Sequence, residues 1–90
     1  MPALPPEATL YKETPVFDAA TMPAGLRRRH STKEGIWGVI RVLEGRLLYR
    51  VLEPPSETVL DRDHTGIAAP QQAHEVEPLG PVRFRIEFYR

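Results

Sequence analysis

The sequence predicts an all-β domain, a sandwich or barrel of about seven or eight short strands, on three observations. Ten prolines and six glycines recur along the whole chain, so the segments between them are short enough for strands and too short for typical helices. From Leu26 onward apolar and polar residues alternate with a period of two, which sends successive side chains to opposite faces of a strand. Ninety residues, 41% of them apolar, supply a single core, so residues 1–90 are expected to form one domain.

The elements follow in order. Residues 1–8 are proline-rich and predict an extended arm, and Thr9 to Glu13 a first edge strand that Pro15 interrupts. Asp18 to Gly25 is the one plausible helical turn, capped by Asp18 and stopped by Pro23. Leu26, Arg28 and His30 then share one face of a short strand, with Arg27 and Arg29 on the other. Ile36 to Leu43 is apolar on both faces, the pattern of a strand covered on both sides, by the N-terminal arm or a second subunit. Glu44-Gly45 reads as the turn of a hairpin into Arg46 to Leu52. Glu57 to Leu60, Ile67 to Ala69, Ala73 to Glu77 and Val82 to Tyr89 complete the set, separated by Pro54-Pro55, the polar run Asp61 to Gly66, Pro70-Gln71-Gln72 and Pro78 to Pro81.

Charge and composition exclude several classes. Twelve basic residues against twelve acidic ones give no net charge, so a nucleic-acid partner is not expected. With no cysteine, any metal must be held by histidine, carboxylate or water. No apolar stretch approaches the roughly 20 residues of a membrane span, and no charged n-region precedes an apolar run, which places the chain in the cytoplasm by default and away from membranes. No serine-histidine-aspartate or paired-carboxylate spacing rises above coincidence.

The run Met22-Pro23-Ala24-Gly25-Leu26, continuing through Arg29-His30-Ser31-Thr32-Lys33-Glu34-Gly35-Ile36-Trp37-Gly38 to Val42-Leu43-Glu44-Gly45, resembles the TehB/YeaR-like, tellurite-resistance-like family of small cupin domains. Pro70 to Pro78 and Val82 to Tyr89 resemble its closing segments, so the likeness covers about Leu10 to Arg90. It implies a cupin-like β-barrel, a double-stranded β-helix of the jelly-roll type, and a link to tellurite, oxyanion or nitrosative stress resistance. In this family the domain stands alone or ahead of a methyltransferase. These ninety residues contain no glycine-rich cofactor loop, so neither methyl transfer nor a nucleotide cofactor is expected of them. Ala73 replaces the tryptophan usual before the family's histidine, which is expected to open a space beside His74, and the Leu79-Gly80-Pro81 turn is shorter than usual.

Cupins generally hold a divalent metal with two histidines and a carboxylate from one motif and a histidine from a second. Against that pattern His30 stands at the first histidine, Thr32 at the second, Gly38 near the carboxylate and His74 at the second-motif histidine. The resemblance thus implies His30 and His74 as ligands of Zn, Fe or Mn, with Glu34, or less readily Glu87, as a third; Glu77 and Glu87 have the wrong strand parity if His74 and Phe84 point inward. The alternative is a polar interior without metal, in which His30 and His74 bond to each other, to Thr32 or to Tyr49. Arg28 is expected on the His30 face as partner of a small anion, while Arg27 and Arg29 read as a solvated edge. His64 reads as a solvated turn residue, and Trp37 as core or, by preference, the interface of a homodimer. Two functions compete, a metal-binding cupin acting on a small anionic molecule and a non-catalytic ligand-binding or homodimerising domain; an enzymatic activity is left open.

Overall fold

A computed structural model describes residues 3–90, so the first two residues of the expected arm lie outside the described residues. Apart from one 3-10 turn at Ala24–Arg27, the regular elements are strands: β1 (Leu10–Glu13), β2 (Phe17–Asp18), β3 (Trp37–Leu52), β4 (Pro55–Leu60), β5 (Gly66–Ala68) and β6 (His74–Tyr89).

Four of the strands predicted from the sequence are two. The segments on either side of Glu44-Gly45 run on as the 16-residue β3, and those on either side of Leu79-Gly80-Pro81 as the 16-residue β6. These two strands pair antiparallel along their length, from Trp37 opposite Tyr89 to Val51 opposite His74. Their punctuation residues make irregularities in the ladder instead of hairpins. Between the Val42–Phe84 and Glu44–Arg83 pairs β3 carries the extra residue Leu43; between Gly45–Val82 and Leu47–Pro78, Arg46 faces three residues of β6. Gly45 and Gly80 take φ of +77° and +111°, and a Cβ on Gly45 would overlap the Pro81 carbonyl oxygen, so only glycine fits there.

The extra residue reverses which side of β3 faces the core. Ile40 and Val42 are buried before it, Leu47, Tyr49 and Val51 after it. β6 keeps one parity, burying His74, Val76, Val82, Phe84 and Ile86. On the outer edge of β3, β5 pairs with Gly38 to Ile40 and β4 with Leu47 to Leu52; on the outer edge of β6, β1 and β2 pair near its C-terminal end. The result is one bent, six-stranded open sheet in the order β1-β6-β3-β4, around a core that includes Met22, Leu47, Leu60 and Phe84. A closed barrel is a correction: among the described residues no ladder joins the β1 edge to the β4 edge, because β1 and β4 flank different strands and different ends of the bend. None of the described helices is long and apolar enough to cross a membrane.

Two shorter expectations also change. Asp18 caps a turn, accepting the Ala20 and Thr21 amides at 2.8 Å each, but the helical turn begins after Pro23 instead of stopping there. The strand expected over Leu26 to His30 is replaced by that turn, closed by the Leu26 amide on the Pro23 carbonyl at 3.0 Å, and only His30 reaches a β-bridge.

Candidate ligand cavity

His30 and His74 meet as backbone partners. Each amide donates to the other's carbonyl, at 3.0 and 2.9 Å, which places the two imidazoles side by side at one edge of the bent sheet. Their ring centroids are 4.2 Å apart at 71°, edge to face. The local geometry repeats on both strands. His30 Nδ1 lies 2.8 Å from the Arg28 carbonyl and His74 Nδ1 lies 2.8 Å from the Gln72 carbonyl, two residues back in each case. A carbonyl can only accept, so in the neutral rings each Nδ1 carries the proton and each Nε2 keeps its lone pair. Neither Nε2 has a hydrogen-bond partner among the described residues, and both rings line a cavity of about 310 Å³.

Burial holds the His74 pKa below the ordinary histidine value; the bond to the Gln72 carbonyl opposes this, and the neighbouring His30 adds to the lowering. Tyr49 packs its ring 5.6 Å from His74, gives its hydroxyl to the Ile67 carbonyl at 3.3 Å, and is pushed up to about 12 by burial. It therefore stands behind His74 as a neutral packing partner and does not line the cavity.

The other expected site residues are placed as follows. Thr32 lines the cavity, but its hydroxyl donates to the Ile36 carbonyl at 2.6 Å, so its proton is spent on the loop. Arg28 is exposed and absent from the cavity wall, because the strand whose parity would have aimed it there does not form. Glu34 lies exposed in the turn before β3, also away from the wall. Glu87 is buried on the opposite face of β6, where Arg41 Nε donates to it at 2.7 Å, with further bonds from Tyr89 and Arg85. Burial alone would raise the Glu87 pKa; the Arg41, Tyr89 and Arg85 bonds together outweigh it and hold the carboxyl below its usual range. Ala73 has the parity opposite to His74 and is absent from the wall, so its small side chain opens no space there. His64 lies in the polar turn, bonded to Asp61 at 2.7 Å.

Two imidazole nitrogens are available, yet among the described residues no third histidine, cysteine or carboxylate joins them, and Thr32 offers only a hydroxyl already bonded.

Sequence reasoning missed Lys12 and Lys33. Both line the cavity, one from β1 and one from the loop after His30, and they are the only lysines in a chain whose other ten cationic side chains are arginine. That contrast in residue type was the one signal available. The wall between them runs inward from exposed side chains to a floor of Ile40, Ala68, Val76, Phe84 and Ile86.

Residues 12–86 match the TehB-like domain family. TehB of Haemophilus influenzae strain ATCC 51907, described as a probable S-adenosyl-L-methionine-dependent methyltransferase, is 31% identical over 78 residues, which are 81% of this chain and 27% of that protein. TehB of H. influenzae strain 10810 matches to the same extent. The chain thus spans about a quarter of the length of these curated relatives. The crystal structure of H. influenzae TehB has a TM-score of 0.86 and 31% identity, over 93% of this chain and 32% of that one. A crystal structure of a protein from E. coli strain K12 shares the fold, with a TM-score of 0.91 at 22% identity over 100% of this chain and 97% of that one. By sequence match across most of its length, the chain belongs to the TehB-like domain family.

Proposed function

We propose that this chain is a non-catalytic, cupin-like ligand-binding domain whose cavity takes a small molecule against the paired imidazoles of His30 and His74. The observation that carries this reading is the matched tautomer of the two rings. Each spends its Nδ1 proton on a local carbonyl and keeps its Nε2 lone pair without a partner among the described residues, in the wall of a largely apolar cavity. Two fixed imidazoles beside apolar surface suit a small ligand with both a polar and an apolar part. A role in tellurite or other oxyanion resistance is then one of binding or sensing, in which the domain recognises a molecule and leaves its chemistry to another protein or domain.

Methyl transfer is named for relatives of which this chain matches about a quarter, and the reading assigns that reaction to none of the cavity's residues. A homodimer through the outer face of β3 belongs to the same proposal. It is supported by Trp37, half-buried and outside both core and cavity wall, on the face of β3 opposite Gly38 and Ile40.

The test is nitrogen-15 NMR of the protein with selenite, tellurite and small carboxylates at millimolar concentration. The expected result is that at least one probe shifts the amides of Thr32, Gly38 and Val76 together with both Nε2 resonances, and that His74→Gln abolishes the shifts. A folded protein whose cavity signals respond to none of them overturns the reading. So does stoichiometric Zn(II) binding, with zinc alone, that is lost in both His30→Gln and His74→Gln, since that result makes the pair a metal site.

A further inference from the structure

The charge of the cavity differs from that of the chain. The sequence balances twelve cationic against twelve acidic side chains, yet the cavity wall contains Lys12 and Lys33 and no aspartate or glutamate. Half of the ten arginines are engaged elsewhere, and the other five, Arg27, Arg28, Arg29, Arg46 and Arg62, lie outside the cavity wall. Arg41, Arg50, Arg83 and Arg85 are each paired with a glutamate, and the Arg90 guanidinium lies 4.4 Å from the centroid of the Tyr11 ring. Neither lysine takes part in an ion pair among the described residues. Their acidic sequence neighbours do not neutralise them across the cavity, for Glu13 pairs with Arg85 and Glu34 is outside the wall.

Depth adds a second gradient. Both lysines are exposed, whereas the far wall is apolar and buried: Phe84 is fully enclosed and Ile40 and Val76 nearly so. A ligand entering between the lysines passes from two cations at the rim to hydrocarbon at the floor, with the Nε2 acceptors of His30 and His74 along one side. We infer that the cavity selects a small organic anion, a carboxylate head held at the rim by Lys12 and Lys33 and an apolar body of several carbons laid against Leu26, Ile36 and Phe88, the apolar lining side chains that keep accessible surface. This inference rests on the binding role proposed above and names its ligand class. An inorganic oxyanion shares the head but leaves the half-exposed Leu26, Ile36 and Phe88 uncovered, so the two sources of negative charge are separable.

Calorimetry with acetate, butyrate and hexanoate, 1-hexanol as the neutral counterpart, and selenite as the inorganic anion tests this. Burial of each added methylene is expected to strengthen carboxylate binding by about threefold to fourfold, the gain of taking one CH₂ out of water. 1-Hexanol is expected to bind at least tenfold more weakly than hexanoate, a gap that closes in the Lys12→Met/Lys33→Met variant while hexanol binding is retained. Equal binding of hexanol and hexanoate to the wild type overturns the anion selectivity and leaves the cavity's binding role standing. Selenite binding as tightly as hexanoate, with no dependence on chain length, overturns the organic body. Failure of every probe to bind the folded protein removes both this inference and the binding role beneath it.

Discussion

Two glycines, two residue pairs apart in the β3–β5 ladder, show how differently the core is packed on either side of them. A Cβ built on Gly66 would stand 2.7 Å from Leu60 Cδ1, inside a region where Leu47 and Leu60 have no exposed surface at all. A Cβ on Gly38 would meet the Ala68 methyl at 3.6 Å and the Thr32 methyl at 3.7 Å, which are ordinary contacts, at the wall of the cavity. The β4 side is closed hydrocarbon, close-packed as protein interiors are. The His30 side keeps room and, among the described residues, two imidazole nitrogens without a partner and two lysines without an ion pair. Stability and binding are therefore expected to respond to different substitutions, and each side offers a way to break that division.

The largest effect belongs to the closed side. Leu60→Ala removes a fully buried side chain that packs onto Gly66, and the bent sheet has little freedom to collapse into the space. A loss of about 2–5 kcal/mol is expected, measured by urea unfolding. A loss under about 1 kcal/mol would mean that this region is loosely filled and that the contrast with the cavity is false.

The bend that separates the two sides gives the next effect. Gly45→Ala places a side chain at φ +77° and against the Pro81 carbonyl oxygen, so the variant must either strain that residue or shift the ladder. A cost of about 1–3 kcal/mol is expected. Gly35, at the same φ of +77°, has nothing within 4 Å of its would-be Cβ and serves as the control, since Gly35→Ala carries the backbone strain without the overlap. Equal losses in the two variants would show that the close approach at the bend contributes nothing.

The same bend explains what sequence could and could not reveal. From Ile36 onward period-two alternation located most strand residues, because alternation reports which side chains share a face over a few residues. Over Leu26 to His30 it pointed to a strand where a 3-10 turn forms. It could not distinguish a turn from an irregularity within a strand, since Glu44-Gly45 and Leu79-Gly80-Pro81 have the composition of both. Six strands therefore stand where about seven or eight were predicted, and the extra residue Leu43 exchanges the faces of β3 midway. His30 and His74 were legible as a pair through family resemblance. The position of Glu34 was not, because it depends on the course of a turn, whereas the opposite face of Glu87 already followed from alternation along β6. Lys12 was hidden for a related reason. β1 reaches the cavity by pairing with the far end of β6, a contact between the two ends of the chain that local pattern does not encode.

Acid titration sharpens the comparison further, with a smaller effect than either substitution. His74 at the cavity and Glu87 on the opposite face of β6 both have lowered pKa values, the first chiefly by burial, the second by bonds from arginine and tyrosine that outweigh burial. A lowered pKa means that the unfolded chain binds protons more readily than the folded one, so each group's contribution is complete above its unfolded value and is lost as the pH falls through its folded value. For His74 that loss begins near the ordinary histidine pKa of 6.5, for Glu87 only near 4.5. His64 acts with the opposite sign near the first window, because its bond to Asp61 raises its pKa and favours the folded state once it is protonated. The informative quantity is thus the difference between wild type and variant. The stability of the wild type relative to His74→Gln is expected to fall between pH 7.5 and 5.5, and relative to Glu87→Gln only below about pH 4.5, both read from urea midpoints. A His74→Gln profile parallel to that of the wild type through the first window would mean that this imidazole takes up a proton in the folded protein as easily as in water. The cavity side would then be no drier than the surface, and its two Nε2 acceptors would offer a ligand little that solvent does not.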